Sequence, residues 1–329
     1  MTSKREKMRI AVVQMNPKIG QVQHNIKRAI DLCSGVKPGS VDLVCFSEMA
    51  FTGYVFPDAD SIEPYLEDPP LTFGREQPSS INSPTSHFCY KLALRLGCHV
   101  LAGYPEKLAL PEYEEISREV ILDETRAIDA ESKKMTVREV GANSAVLFGP
   151  DGTCLGNYRK TNLFETDMTW AKPGTGFKSF QLPAPLNKVS LGICMDLNVQ
   201  PPAVWTIEDG PYEIANHVIE QKSNVLVLLN AWLQSPIEEL VQERDWGTLR
   251  YWAARLRPLW DYEELSDDEV EEYGQKPETI VVMCNRTGEE NGKIFAGTSA
   301  AFSMRRGAGK ARLLHAMERE AEGIEIWRV

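Results

Sequence analysis

Leu191-Gly192-Ile193-Cys194-Met195-Asp196 is an apolar run broken sharply at a thiol. Two other segments end the same way, each on one ionisable residue. Val41-Asp42-Leu43-Val44-Cys45-Phe46-Ser47 runs into Glu48, and Gly156-Asn157-Tyr158-Arg159 runs into Lys160. Each run reads as the end of a strand. A Glu, a Lys and a Cys at three strand ends are the groups from which a thiol amidase site can be built.

The chemistry asks for those types. An amide carbon is a poor electrophile, and a covalent route divides one hard step into two easier ones. Cys194 is the candidate nucleophile. Glu48 can take its proton, return it to the leaving ammonia and then activate water. Lys160 can hold the developing oxyanion, with the backbone N–H of Met195 as a second donor. A buried carboxylate beside a buried ammonium also keeps both charged. Taken singly, each residue has a plainer reading: a small buried hydrophobe for the cysteine, a cap for Glu48, a solvated charge for Lys160. The combination is what favours chemistry.

Outward from these segments the chain alternates between α and β. Strands are expected at 10–15, 42–46, 98–104, 189–193, 224–229, 279–284 and 296–303, and helices at 25–33, 84–96, 212–221 and 241–256. Segments 144–148 and 154–158 flank Gly149-Pro150-Asp151-Gly152, a hairpin signal. Two stretches read as insertions. Residues 108–140 are dense in Glu, Arg and Lys, which suggests a partly helical surface excursion or a lid beside the site. Residues 261–278 are acidic and read as a solvated loop or a patch for a basic partner. The motifs interleave over all 329 residues, so one domain spanning 1–329 is expected rather than two.

Composition narrows the function classes. Hydrophobic content of 43% and charged content of 25% suit a globular enzyme. A net charge of −11 argues against nonspecific nucleic-acid binding and against docking on anionic lipid. Seven cysteines without a Cys-x-x-Cys pair, and five histidines without metal spacing, predict no disulfide framework, no metal site and no cofactor. No apolar stretch reaches membrane-spanning length, and Met1-Thr2-Ser3-Lys4-Arg5-Glu6-Lys7 is a short basic tip without an apolar run after it. A reduced, cytoplasmic setting is expected, with a nuclear or mitochondrial fraction left open.

The same residues carry a resemblance. Met8-Arg9-Ile10-Ala11-Val12-Val13-Gln14-Met15-Asn16-Pro17, Phe46-Ser47-Glu48-Met49, Tyr158-Arg159-Lys160-Thr161, Gly192-Ile193-Cys194-Met195-Asp196, Cys284-Asn285-Arg286-Thr287-Gly288 and Phe295-Ala296-Gly297-Thr298-Ser299 occur in this order. Together they resemble the carbon–nitrogen hydrolase (nitrilase) superfamily. That resemblance implies an α/β fold, a four-layer αββα sandwich, and a catalytic Glu48, Lys160 and Cys194. Asn157-Tyr158-Arg159-Lys160-Thr161, Asp167-Met168-Thr169-Trp170, Ala231-Trp232-Leu233 and Tyr251-Trp252 are similar to the fungal N-terminal amidase branch. Two departures from many relatives accompany this: Met195 replaces an aromatic after the nucleophile, and Leu197-Asn198 stands where an Arg is common.

The narrower resemblance implies hydrolysis of the side-chain amide of N-terminal Asn or Gln to Asp or Glu, feeding arginylation in the N-degron pathway. Partners would be polypeptides with those N-termini and components of that pathway. A small-molecule amidase acting on ω-amides or carbamoyl amines is the alternative. A substrate α-ammonium needs acceptors, for which Asp167, Glu165 and Asp196 are candidates. Asp196 reads equally as a buried brace. Asp167 is preferred over Glu165 for the second acidic position that many relatives carry after the lysine. Trp232 and Tyr54 are expected either to wall the pocket or to pack in the core.

Overall fold

The computed structural model describes residues 7–121, 132–236, 242–262 and 277–329. Its first half comprises β1 (Arg9–Gln14), α1 (Val22–Cys33), β2 (Leu43–Phe46), α2 (Ala59–Ile62), α3 (Pro84–Leu96) and β3 (His99–Lys107). Then come β4 (Glu114–Ile121), β5 (Ser132–Glu139), β6 (Gly141–Phe148), β7 (Cys154–Arg159) and α4 (Glu165–Met168). The second half holds β8 (Lys178–Gln181), β9 (Lys188–Ile193), α5 (Glu213–Glu220), β10 (Val225–Asn230), α6 (Trp246–Arg255) and β11 (Glu278–Asn285). It closes with β12 (Glu289–Glu290), β13 (Lys293–Ile294), β14 (Ala300–Arg305), β15 (Arg312–Ala316) and β16 (Gly323–Arg328).

Two six-stranded sheets form, in the orders β16-β1-β2-β3-β6-β7 and β15-β14-β11-β10-β9-β8. Their central strands are parallel and apolar on both faces, because each is covered on both sides. Between the sheets, Ile10, Val12, Leu43, Cys45 and Leu101 meet Leu191, Ile193, Val227, Leu229 and Val282. Helices α1 and α3 cover the outer face of the first sheet, and α5 and α6 cover that of the second. The result is the αββα sandwich. Helix α3 follows its sequence punctuation: Pro84 opens it, and Gly97 closes it at φ +65°, where only glycine sits without cost.

Several expectations need amendment. The described part of 108–140 is a short 3-10 turn and the hairpin β4–β5, with no α-helix in it. Residues 122–131 of that segment, 263–276 of the acidic segment and the first six residues lie outside the described residues. The strand expected at 296–303 begins only at Ala300; the chain before it turns through Gly297 and Thr298 at φ +54° and +52°. No helix among the described residues is long and apolar enough to cross a membrane.

Candidate active site

The three strand ends meet where the two sheets face each other. Glu48 follows β2 and is fully buried. Its loop lies flat on the first sheet because Gly103 in β3 has no side chain: a Cβ there would stand 2.7 Å from Glu48 Cα. Met49 takes φ +47° and turns the chain away. Lys160 follows β7 and is also fully buried. Cys194 ends β9 at φ +44°, opening a 3-10 turn that runs to Leu197. A non-glycine residue in the left-handed region is strained, and such strain is stored where a side chain must be aimed. Cys194 itself is buried.

One ammonium serves two carboxylates. Lys160 Nζ donates to Glu48 Oε1 at 2.7 Å and to Asp167 Oδ2 at 2.6 Å. Glu48 Oε2 accepts from the Ala231 backbone N–H at 2.7 Å. Asp167 Oδ2 also accepts from Tyr54 Oη at 3.2 Å and from the Phe164 N–H at 3.0 Å. Asn143, fully buried in β6, donates its Nδ2 to Glu48 Oε1 at 2.7 Å and to Asp167 Oδ1 at 2.9 Å. Lys160 Nζ further sits 5.5 Å above the Tyr54 ring, a favourable place for a cation.

The electrostatics follow from burial. Glu48 is pushed up from its ordinary value by desolvation and by Asp167, against the pull of Lys160. The Cys194 thiol is raised well above its usual value, by burial first and then by Glu48, with Lys160 and the Ala231 N–H opposing. For Lys160, burial acts downward but the Asp167 and Glu48 carboxylates outweigh it, so it stays an ammonium. A carboxylate whose proton affinity is raised, facing a thiol that needs a base, is suited to general acid–base work.

The remaining sequence candidates divide. Asp196 is fully buried and saturated. Its Oδ2 accepts from Tyr158 Oη at 2.6 Å and the Ile193 N–H at 2.7 Å, and its Oδ1 from the Thr161 and Asn162 N–H groups at 2.9 and 2.8 Å. It staples the turn after Lys160 to the turn after Cys194, which leaves no free lone pair for a substrate ammonium. Glu165 is partly exposed and pairs through Oε1 with Lys293 at 2.8 Å. Met195 occupies the 3-10 turn directly after Cys194. Trp232 is half-buried and touches the rings of Tyr251 and Trp252 at 5.6 and 6.0 Å; its backbone N–H is fixed by Asn285 Oδ1 at 2.9 Å. Tyr54 is held by its own backbone N–H on Glu290 Oε1 at 2.6 Å.

Sequence reasoning missed Asn143, Glu290 and Arg255. Asn143 falls one residue before the strand read at 144–148, whereas β6 begins at Gly141 and includes it. Glu290 receives the Tyr54 and Val55 N–H groups and, at 2.7 Å, Arg286 Nη1. Arg255, 1% exposed, donates Nε to the Leu197 carbonyl at 2.7 Å and lies over the Trp205 ring at 4.7 Å. It brings a guanidinium from α6 to the end of the nucleophile turn, where the local sequence offers none. The Arg286–Glu290 pair lies in a non-helical segment, where i,i+4 spacing gives no signal from sequence. No group of acids, histidines and cysteines among the described residues has the arrangement of a metal site.

Comparison with known proteins agrees with this geometry. The carbon–nitrogen hydrolase family model matches residues 9–210. The protein N-terminal amidase of Schizosaccharomyces pombe is 30% identical over 97% of this chain and 98% of its own length. Among solved structures, N-terminal amidase with a Gln-Val peptide superposes over 98% of both chains at a TM-score of 0.70 and 20% identity. The same enzyme with an Asn-Glu peptide gives 0.71 at 19% identity over the same shares. At those identities the superpositions speak for the fold, and the family match speaks for the class of chemistry. The chain belongs to the carbon–nitrogen hydrolase (nitrilase) superfamily and is a hydrolase related to the fungal N-terminal amidases.

Proposed function

We propose that this enzyme hydrolyses the side-chain amide of an N-terminal Asn or Gln of a polypeptide, through a thioester on Cys194. The observation that supports the chemistry is the buried Glu48 carboxylate, bonded at 2.7 Å to Lys160 Nζ and close enough for its charge to raise the Cys194 thiol. Glu48 takes the thiol proton as sulfur bonds to the amide carbon. The oxyanion is held by Lys160, whose third N–H is not used by Glu48 or Asp167, and by the Met195 N–H. Glu48 returns the proton to nitrogen, the C–N bond breaks and ammonia leaves. Glu48 then takes a proton from water, the water oxygen attacks the thioester, the C–S bond breaks to free the carboxylic acid, and Glu48 returns the proton to sulfur.

The substrate reading is supported by the S. pombe relative, similar along its whole length, and by the peptides that the structurally similar enzyme binds. In this reading Trp232 and Tyr54 shape the pocket. Asp167 acts on the substrate through Lys160, since its own oxygens are already engaged. Glu165 is the one acidic candidate that is partly exposed, and it is our candidate acceptor for the α-ammonium. The products, N-terminal Asp and Glu, would pass to arginylation in the cytoplasm.

Mass spectrometry of matched peptides tests this. Purified protein is incubated with peptides beginning with Asn or Gln, with N-acetylated and internal-Asn controls, and with free glutamine and ω-amides. Deamidation confined to the free N-terminal residue, and lost in Cys194→Ala, is the expected result. Turnover of the small amides without the peptides would overturn it in favour of a small-molecule amidase.

A further inference from the structure

We infer that Asn143 is a positioning residue that holds the Glu48 and Asp167 carboxylates in register around Lys160 and keeps Glu48 ready to take the thiol proton. The inference rests on the reading of Glu48 as the base. Its ground is a closed ring of four buried groups. The Asn143 Nδ2 protons go to Glu48 Oε1 and Asp167 Oδ1 at 2.7 and 2.9 Å. The Lys160 Nζ protons go to the same two carboxylates at 2.7 and 2.6 Å.

Those carboxylates arrive on unrelated elements, one after β2 and one in α4, and like charges at such range repel. A single ammonium cannot fix both orientations, and the amide supplies the second pair of bonds. The amide's own orientation is decided by chemistry: turned over, it would set its oxygen against two carboxylate oxygens. Its Oδ1 has no protein partner among the described residues although it is buried. An unmet acceptor costs free energy, so the side chain is held in place by its two donor bonds. The Asn143 backbone carbonyl also accepts the Lys160 N–H at 2.8 Å, which sets the height of the lysine. Hydrogen bonding from Asn143 favours ionised Glu48, against burial and Asp167, which act the other way.

The test uses Asn143→Leu, of similar size without donors, and Asn143→Asp, of the same shape with a carboxyl in place of the amide. Steady-state kinetics on an N-terminal Asn peptide are followed across pH, with active sites counted by iodoacetamide labelling of Cys194. Glu48→Gln is run beside them. In both Asn143 variants kcat per active site should fall about tenfold to a hundredfold, the worth of a hydrogen bond to a charged group, with KM little changed. The acid limb of kcat should move to higher pH, because Glu48 then holds its proton more tightly. A normal kcat and an unmoved limb, with Glu48→Gln inactive, would overturn the role of Asn143 alone. A loss of folded protein with an unmoved limb would reduce Asn143 to a structural residue and overturn it equally. Full turnover by Glu48→Gln would remove the base reading and this inference with it. If Asn143→Leu does not fold, the Asn143→Asp profile decides.

Discussion

Replacing Gly103 by alanine should disable the enzyme without touching any group that does chemistry. The added Cβ would lie 2.7 Å from Glu48 Cα, 2.7 Å from Met49 N and 2.8 Å from Ser47 O, all of them backbone atoms. Carbon contacts settle near ~3.5 Å, so the Glu48 loop must retreat by roughly 0.8 Å. The loop is tied to Gly103 through Ala50 N–H at 3.0 Å and Ser47 O at 3.2 Å, so these bonds strain as it moves. Glu48 holds three bonds of 2.7 Å, to Lys160, Asn143 and Ala231. The same displacement stretches them to the limit of hydrogen bonding. Misplacing a catalytic group by about 1 Å costs about a hundredfold in rate, or ~2.7 kcal/mol of barrier. Overpacking should cost a further ~1–3 kcal/mol of stability. The assay is kcat and KM on an N-terminal Asn peptide, with urea unfolding to separate the two effects. Gly192→Ala is the control: its nearest neighbour is the tip of the Ile214 side chain at 2.5 Å, which can swing aside. A Gly103→Ala enzyme with kcat within about twofold of wild type would refute the claim that this glycine sets the position of Glu48.

Other perturbations follow from the same contacts. Burial holds buried Glu67 up to about 8 although the Thr85 hydroxyl and N–H favour its ionised form. The unfolded value is about 4.3, so the folded state retains a proton that the unfolded chain has released. That stabilisation is complete below the unfolded value and is lost as pH rises toward the folded one. Urea unfolding should therefore show wild type losing ~1.4 kcal/mol per pH unit relative to Glu67→Gln over that window; a difference independent of pH would contradict it. Glu290→Ala strands the buried Arg286 guanidinium and the Tyr54 N–H. It should cost ~3–5 kcal/mol in the same measurement, and a loss under ~1 kcal/mol would show that the pair is not needed. Cys194→Ala should abolish turnover and leave the circular dichroism spectrum and unfolding midpoint near wild type. Persistent turnover would exclude the thioester.

The chain's apolar runs made most of the fold legible. The strands leading to Glu48 and Cys194 read correctly because a covered parallel strand must be apolar on both faces, and the antiparallel edge strand leading to Lys160 was marked by the hairpin signal before it. What escaped the sequence was mainly edge and hairpin structure. Gly323–Arg328, the outer strand beside β1, is largely exposed and mixes charged with apolar residues. Glu114–Ile121 and its partner carry charge densely enough to imitate a solvated helix. At the site, residue type was readable but partnership was not. Asp196 carries a carboxylate that any substrate ammonium could use, and only the three-dimensional arrangement shows four donors already on it. Asn143 was missed for the complementary reason: a neutral amide just outside the strand read at 144–148 gives no warning that two carboxylates converge on it.

The division of the site between the sheets has a consequence for the protein's life before it is folded. Glu48 and Lys160 hang from one sheet and Cys194 from the other, and the contacts that join them, Ala231 N–H to Glu48 and Asp196 to Thr161 and Asn162, cross between the two halves of the chain. A nascent chain that has reached only the end of β7 carries Glu48 but neither Cys194 nor the β16 strand that completes the first sheet. In a chain whose sheets have not docked, Cys194 is an ordinary thiol without a base. Assembly of the site thus requires the two sheets to dock, which makes turnover a stricter reporter of complete assembly than helix or strand content.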